Sequence, residues 1–106
     1  MEHSVREEAG ALIAAFSGEV DLENSPKARE ILLDCVGRGS KVLVDLSGVS
    51  YIDSSGVASL VEAFQRAKKS GVDFALVSVN APARRVLELA RLDKVFTIHE
   101  TLADGL

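Results

Sequence analysis

The stretch Asp53-Ser54-Ser55-Gly56 contains the residues of this chain that are best suited to chemistry, two hydroxyls where a strand pattern passes into a helix pattern. A helix N-terminus presents unpaired backbone N–H groups and the positive end of the helix dipole. A hydroxyl at that point is exposed, and a phosphate added to it would meet a favourable field. A second interpretation stays open, because either Asp53 or Ser54 could simply cap the helix.

Nucleophilic catalysis by one of these serines would need a general base, usually a histidine that a third group orients. The chain has only two histidines, His3 near the N-terminus and His99 after the last predicted strand. The leading glycine of the G-x-S-x-G nucleophile elbow is also missing before Ser54. The sequence therefore disfavours a small hydrolase that uses Ser54.

Metal and acid–base chemistry find little support. The single cysteine, Cys35, lies on a predicted apolar helix face, where a lone thiol is usually packed in the core. A pair of carboxylates for acid–base catalysis could be Glu19 with Asp21, or Asp45 with Asp53. Their spacing in the sequence does not distinguish a catalytic pair from carboxylates on a solvated loop. We expect no metal site, no cofactor and no catalytic residues.

The composition is that of one small globular domain covering residues 1–106, with 47% hydrophobic and 26% charged residues. A formal net charge of −4 argues against binding to nucleic acid or to an anionic membrane. A single cysteine fits a reducing compartment, and no signal peptide is visible. Because no apolar run approaches the roughly 20 residues of a membrane span, we expect a soluble cytoplasmic domain without membrane insertion.

Hydrophobic spacing and turn residues predict eight elements in the order strand, strand, helix, strand, helix, strand, helix, strand. The first two strands form a hairpin, and crossover helices between the later strands imply parallel pairing. The fold class is therefore α/β, with a mixed sheet of about five strands and helices packed against it. The predicted strands are Val5–Glu8, Ala11–Ser17, Lys41–Leu46, Val72–Val79 and Val95–Ile98.

Local signals set the predicted helix ends. Asn24-Ser25-Pro26 supplies a cap and an early proline for the first helix, and Gly37 and Gly39 end it. The second helix runs from about Ser54 to Ser70, where Gly71 stops it. Asn80 caps the third helix, whose inward residues are predicted to be Val86, Leu87 and Ala90, and a turn is expected at Ser47-Gly48.

The segment DLSGVSYIDSSGVASLVEAFQRAKKSGVDFALVSV resembles the core of the STAS domain of bacterial anti-sigma-factor antagonists. The similarity extends outward on both sides. Gly18-Glu19-Val20-Asp21 corresponds to the family's G-[ED]-[LV]-D step before the first helix, and APARRVLELARLDKVFTIHET is similar to its third helix and closing strand. The resemblance covers nearly the whole chain.

This resemblance implies a regulatory binding module rather than an enzyme. It implies Ser54 as phosphoacceptor, and as partner an anti-sigma factor that is also a serine kinase of the GHKL type. The unmodified antagonist would bind this kinase and free a sigma factor, phosphorylation would release it, and a serine phosphatase would reset it. The partner-binding residues that the resemblance implies are Glu19, Asp21, Asp53, Ser54, Ser55, Gly56 and Val57.

Two features bear on how far the resemblance extends. Many members continue into a fourth helix, whereas the residues after Thr101 suffice for about a turn and a half. STAS subunits of lipid-export ABC transporters share the fold and need no phosphoacceptor, so a transporter subunit is the alternative function. The presence of both serines in Asp53-Ser54-Ser55-Gly56 favours the phosphorylation switch over this alternative.

Overall fold

The computed structural model describes residues 1–106. The chain forms five strands and four helices. None of the helices combines the length and the hydrophobicity that a membrane span needs. The elements are β1 (Glu2–Glu8), β2 (Ala11–Val20), α1 (Ser25–Gly37), β3 (Lys41–Ile52), α2 (Ser54–Ser70), β4 (Phe74–Val77), α3 (Ala81–Leu89), β5 (Thr97–His99) and α4 (Leu102–Gly105).

The sheet has the strand order β1-β2-β3-β4-β5, with β1 antiparallel to β2 and the remaining pairs parallel. Residues of α1, α2 and α3 share one core, so these connecting helices lie on the same face of the sheet, as the usual right-handed crossover between parallel strands requires. The main core of 23 buried residues lies on this face. The opposite face has a core of only five buried residues, against which Leu102 of α4 packs. The predicted α/β fold is confirmed.

The hairpin of β1 and β2 turns at Ala9 and Gly10, as predicted. Both residues have positive φ angles, 51° and 81°, and two such central residues define the type I′ turn that matches the twist of paired strands. Strand β1 begins at Glu2, earlier than predicted, because its pairing with β2 extends to Ser17. Its side chains are mostly exposed and charged, which discourages pairing of this sheet edge with another chain.

The predicted turn at Ser47-Gly48 is wrong, since β3 continues without interruption from Lys41 to Ile52. Gly48 pairs with Ser17 of β2 next to a register shift. A Cβ atom on Gly48 would lie 2.8 Å from the Cβ atom of Ser17, so glycine allows the two strands to approach closely. Strand β3 therefore continues beyond the end of β4, and its last residues, up to Ile52, pair with β2 only.

Helix α2 has the predicted bounds, and Gly71 ends it in the left-handed conformation, with φ 72°. Helix α3 is shorter than predicted. Ala90 is its exposed C-cap residue and does not face inward. Strands β4 and β5 are both shorter than predicted, because only Phe74–Val77 and Thr97–His99 pair with neighbouring strands of the sheet.

Candidate functional site

Asp53 caps helix α2 and organises the strand-to-helix junction. Its backbone is extended, and its Oδ1 atom accepts hydrogen bonds from the backbone amides of Ser55 at 2.9 Å and Gly56 at 3.1 Å. The hydroxyl of Ser55 donates to the same oxygen at 2.5 Å. Of the two caps that the sequence left open, Asp53 is therefore the one formed, and Ser54 is the first residue of the helix.

The second carboxylate oxygen of Asp53 ties the junction to the loop between β2 and α1. Its Oδ2 atom accepts a hydrogen bond of 3.1 Å from the backbone amide of Leu22. The backbone amide of Asp53 donates to the carbonyl oxygen of Val20 at 3.3 Å. These two bonds hold residues 20–22 against the start of α2, so segments 31 residues apart in sequence form one surface.

These donors hold the pKa of the Asp53 carboxyl below its usual range. The hydroxyl of Ser55 has the largest effect, partial burial opposes it, and the backbone amides of Gly56, Ser55 and Leu22 lower the pKa further. Asp53 is therefore a fixed negative charge at the positive end of α2 at neutral pH.

The two serines of the junction have different environments. The Ser54 side chain is exposed, and its hydroxyl makes no hydrogen bond because Asp53 already serves as the cap. Ser55 is half-buried, and its hydroxyl is engaged with Asp53. Only Ser54 thus offers an unengaged hydroxyl at the surface, where a modifying enzyme can reach it.

Asp21 and Asn24 fix the loop that lies beside the junction. The Oδ1 atom of Asp21 accepts from the backbone amide of Asn24 at 3.1 Å and from its side-chain amide at 2.9 Å. The Asn24 side chain also donates to the carbonyl oxygen of Glu19 at 3.2 Å. Asn24 stands at the N-cap position of α1, as predicted, but its side chain makes no capping bond because it is used within this loop.

Gly56 and Val57 are buried, which changes the part they can play. A Cβ atom on Gly56 would lie 2.6 Å from the carbonyl oxygen of Val20, so α2 approaches β2 as closely as the backbone allows. Val57 is 7% exposed and belongs to the main core. The prediction that Val57 contacts a partner directly is not supported, because burial leaves these two residues to position the exposed ones.

Neither histidine lies near Ser54. His99 pairs with Val77, which in turn pairs with Asp45 of β3. Asp45 lies within β3, and Asp53 follows the end of this strand eight positions later. Because an extended strand rises about 3.3 Å per residue, the two residues lie more than about 20 Å apart along the strand direction. This separation also excludes Asp45 and Asp53 as a carboxylate pair. His3, at the far edge of the sheet, pairs with Phe16, four positions before Val20.

Two exposed apolar side chains near the junction were not among the predicted site residues. Leu22 is 75% exposed and Tyr51, the neighbour of Glu19 across β2 and β3, is 51% exposed. The sequence offers only a weak indication that Leu22 is exposed: it is an apolar residue between Asp21 and Glu23, in a segment without helical or strand periodicity. No three His, Cys, Asp or Glu side chains are placed so that they could hold a metal ion together.

Comparison with known proteins leads to the same assignment as the fold and the capped junction. The family model of the STAS domain matches residues 2–105. The chain therefore belongs to the STAS domain family, and the resemblance deduced from the sequence is confirmed.

Among the relatives, the anti-sigma-F factor antagonist RsfB of Mycobacterium tuberculosis is 31% identical over 104 residues, which are 97% of this chain and 84% of RsfB. The anti-sigma F factor antagonist of Paenibacillus polymyxa is 27% identical over 108 residues, covering 100% of this chain and 89% of the relative. The crystal structure of an anti-sigma factor antagonist from Mycobacterium paratuberculosis superimposes with a TM-score of 0.88 at 28% identity, covering 97% of this chain and 88% of that one.

Proposed function

We propose that this chain is an anti-sigma-factor antagonist that acts through binding, with residues 1–106 as one regulatory domain. In its unmodified form it binds an anti-sigma factor and thereby frees a sigma factor. Phosphorylation of Ser54 ends the binding. The observation that carries this proposal is the exposed, unbonded hydroxyl of Ser54 on a junction that Asp53 holds rigid.

The proposed partner is an anti-sigma factor of the GHKL serine-kinase type, and a serine phosphatase restores the unmodified protein. Membership of the STAS family and relatives named anti-sigma factor antagonist support the anti-sigma factor as partner. The family resemblance implies the kinase activity, and the exposed hydroxyl of Ser54 is compatible with it, because a partner that phosphorylates this hydroxyl must bind the junction around it. The proposed binding surface consists of Glu19, Asp21, Asp53, Ser54 and Ser55, supported from beneath by Gly56 and Val57.

The electrostatics of the junction favour a switch in affinity over a change in fold. A phosphate on Ser54 adds about −1.5 to −2 charges. The helix dipole stabilises such a group by about 0.3–1 kcal/mol. Asp53 opposes it, because a phosphate of this charge about 6 Å from a carboxylate in water is repelled by roughly 1–1.4 kcal/mol. The two effects are opposite in sign and of similar size, so the net change in the free protein is about 1 kcal/mol or less.

A bound partner changes this balance. It excludes water from the junction, and repulsion between charges grows as the local dielectric falls. The phosphate would then be buried beside the carboxylates of Asp53 and Asp21, with added bulk at the centre of the contact. Phosphorylation is therefore expected to weaken binding while leaving the fold intact.

The direct test is incubation of the protein with ATP and each GHKL-type anti-sigma factor of the same genome, followed by intact-mass measurement and site mapping. We expect a single added phosphate on Ser54 and none on the Ser54→Ala variant. Phosphate on Ser55, or no phosphorylation by any candidate, would contradict the assignment. Affinity purification adds a separate check, since recovery of a transporter ATPase subunit in place of a kinase would support the alternative function.

A further inference from the structure

We propose that Leu22 is the apolar anchor of the partner interface, and that it inserts into an apolar socket with a basic rim on the anti-sigma factor. This inference rests on the proposed function and deepens it, because it separates the residue that provides affinity from Ser54, which provides the switch. It starts from the exposure of Leu22, 75% of whose surface is open to solvent although 23 other residues bury themselves in the main core.

The Leu22 side chain is held outward by a fixed backbone. Its amide donates to Asp53 Oδ2 at 3.1 Å, and its carbonyl oxygen accepts from the Ser25 hydroxyl at 3.5 Å. The carbonyl oxygen of Asp21, the preceding residue, accepts from the amides of Asn24 at 3.1 Å and Ser25 at 2.7 Å. A side chain on such a loop loses little backbone entropy when a partner covers it, which is a property of preorganised binding residues.

The surroundings of Leu22 define the chemistry of the partner. Four carboxylates lie at the end of β2, on the loop that follows it and at the junction, and none of them forms an ion pair within the domain. A partner surface that covers Leu22 must therefore carry basic groups around an apolar centre, since burying unpaired carboxylates is costly. These carboxylates belong to Glu19, Asp21, Glu23 and Asp53.

The position of Leu22 links the anchor to the switch. The carboxylate that receives the Leu22 amide also caps the helix whose first residue is Ser54. A partner that covers both Leu22 and the Asp53 carboxylate therefore also reaches Ser54, the residue that follows Asp53. A phosphate there enters a contact that Leu22 has already closed to water, so a local modification acts on the whole interface.

The chain offers matched controls on α3. Leu89 is 80% exposed, so Leu89→Ala removes the same atoms from an equally open site away from the junction. Glu88, also exposed and outside any ion pair, is the counterpart of Glu23 for a Glu→Lys change. Each pair of variants alters size or net charge equally, so that only the location differs.

The experiment measures the affinity of wild type and the four variants for the anti-sigma factor kinase that phosphorylates Ser54, by calorimetry or biolayer interferometry. We expect Leu22→Ala to weaken binding by about tenfold or more, as removal of an interface anchor does, with unchanged urea unfolding. Glu23→Lys should slow association and flatten its dependence on salt. Leu89→Ala and Glu88→Lys should bind as wild type does.

The outcomes separate the two proposals. If wild type binds the kinase and Leu22→Ala binds equally well, the assignment of Leu22 as the anchor is wrong and the proposed function stands. Equal losses for Leu22→Ala and Leu89→Ala also overturn the anchor, because the effect would not depend on location. If wild type binds none of the GHKL-type anti-sigma factors of its genome, the proposed function and the anchor both fall.

Discussion

The carboxylate of Asp53 receives the backbone amide of Leu22 at 3.1 Å, although the two residues are 31 positions apart. Its other oxygen receives the first amides of α2. One side chain therefore performs a local task, capping a helix, and a long-range task, holding the neighbouring loop. This double use adds to the backbone bond between Asp53 and Val20, and together they fix the loop and the helix start that form the surface around Ser54.

Substitution of Ser54 should separate binding from its regulation. Ser54→Ala is expected to keep the affinity for the kinase close to that of wild type, because the hydroxyl makes no hydrogen bond in the free domain. Ser54→Asp should weaken binding by about tenfold or more through charge placed beside Asp53. Titration calorimetry measures both. Ser70→Asp, at the exposed far end of the same helix, should bind normally, and equal affinities of Ser54→Ala and Ser54→Asp would contradict the switch.

The lowered pKa of Asp53 predicts a particular dependence of stability on pH. A carboxyl with a lower pKa in the folded state stabilises the fold above its unfolded pKa of about 3.9, and this contribution is lost as the pH falls through the folded pKa. Urea unfolding of wild type and Asp53→Asn from pH 7 to pH 2.5 tests this. Wild type should be the more stable above about pH 4, and the difference should shrink below it. A difference that grows toward acid pH would contradict the cap geometry.

Gly56→Ala should destabilise the domain in spite of the better helix propensity of alanine. The new methyl group would lie 2.6 Å from the Val20 carbonyl oxygen and 2.8 Å from Ile52 Cγ1. Overpacking typically costs about 1–3 kcal/mol, which exceeds the gain of up to about 1 kcal/mol from replacing a helical glycine. Gly37→Ala is the control, because no atom lies within 4 Å of its Cβ position. Denaturant midpoints should fall for Gly56→Ala and stay level or rise for Gly37→Ala.

Cys35 should be inert to thiol reagents in the folded protein. Burial raises the pKa of its thiol, Arg38 lowers it and Asp34 raises it, so the reactive thiolate is scarce at neutral pH. The side chain is also fully enclosed in the core. Labelling with a disulfide reagent at pH 7.5 should proceed only in urea, at the rate of unfolding. Rapid labelling of the native protein would show that the core around α1 opens locally.

The bounds of α2 could be predicted because the signals that set them are local. Asp53 and Gly71 act on neighbouring backbone groups, and the apolar spacing between them requires no knowledge of the partner elements. The hairpin turn at Ala9-Gly10 and the α/β order of elements are local in the same sense, since turn residues and hydrophobic periodicity reflect short-range geometry.

Gly48 could not be interpreted correctly from sequence, because a glycine that permits a close approach has the same letter as one that permits a turn. The distance of 2.8 Å between its Cβ position and Ser17 exists only once β2 and β3 pair. The exposure of Leu22 is equally a product of tertiary contacts, since nothing in Asp21-Leu22-Glu23 shows that the loop is tied to a residue 31 positions later.

The sequence by itself determined the family, the class of fold and the junction at which function is expected. It left open whether Asp53 or Ser54 caps α2, because both residue types accept hydrogen bonds from helix amides. The tertiary structure decides this in favour of Asp53, whose one oxygen accepts from the amides of Ser55 and Gly56 while the other accepts from the amide of Leu22, 31 positions away. The hydroxyl of Ser54 is thereby left unengaged at the surface, which no local pattern could have shown.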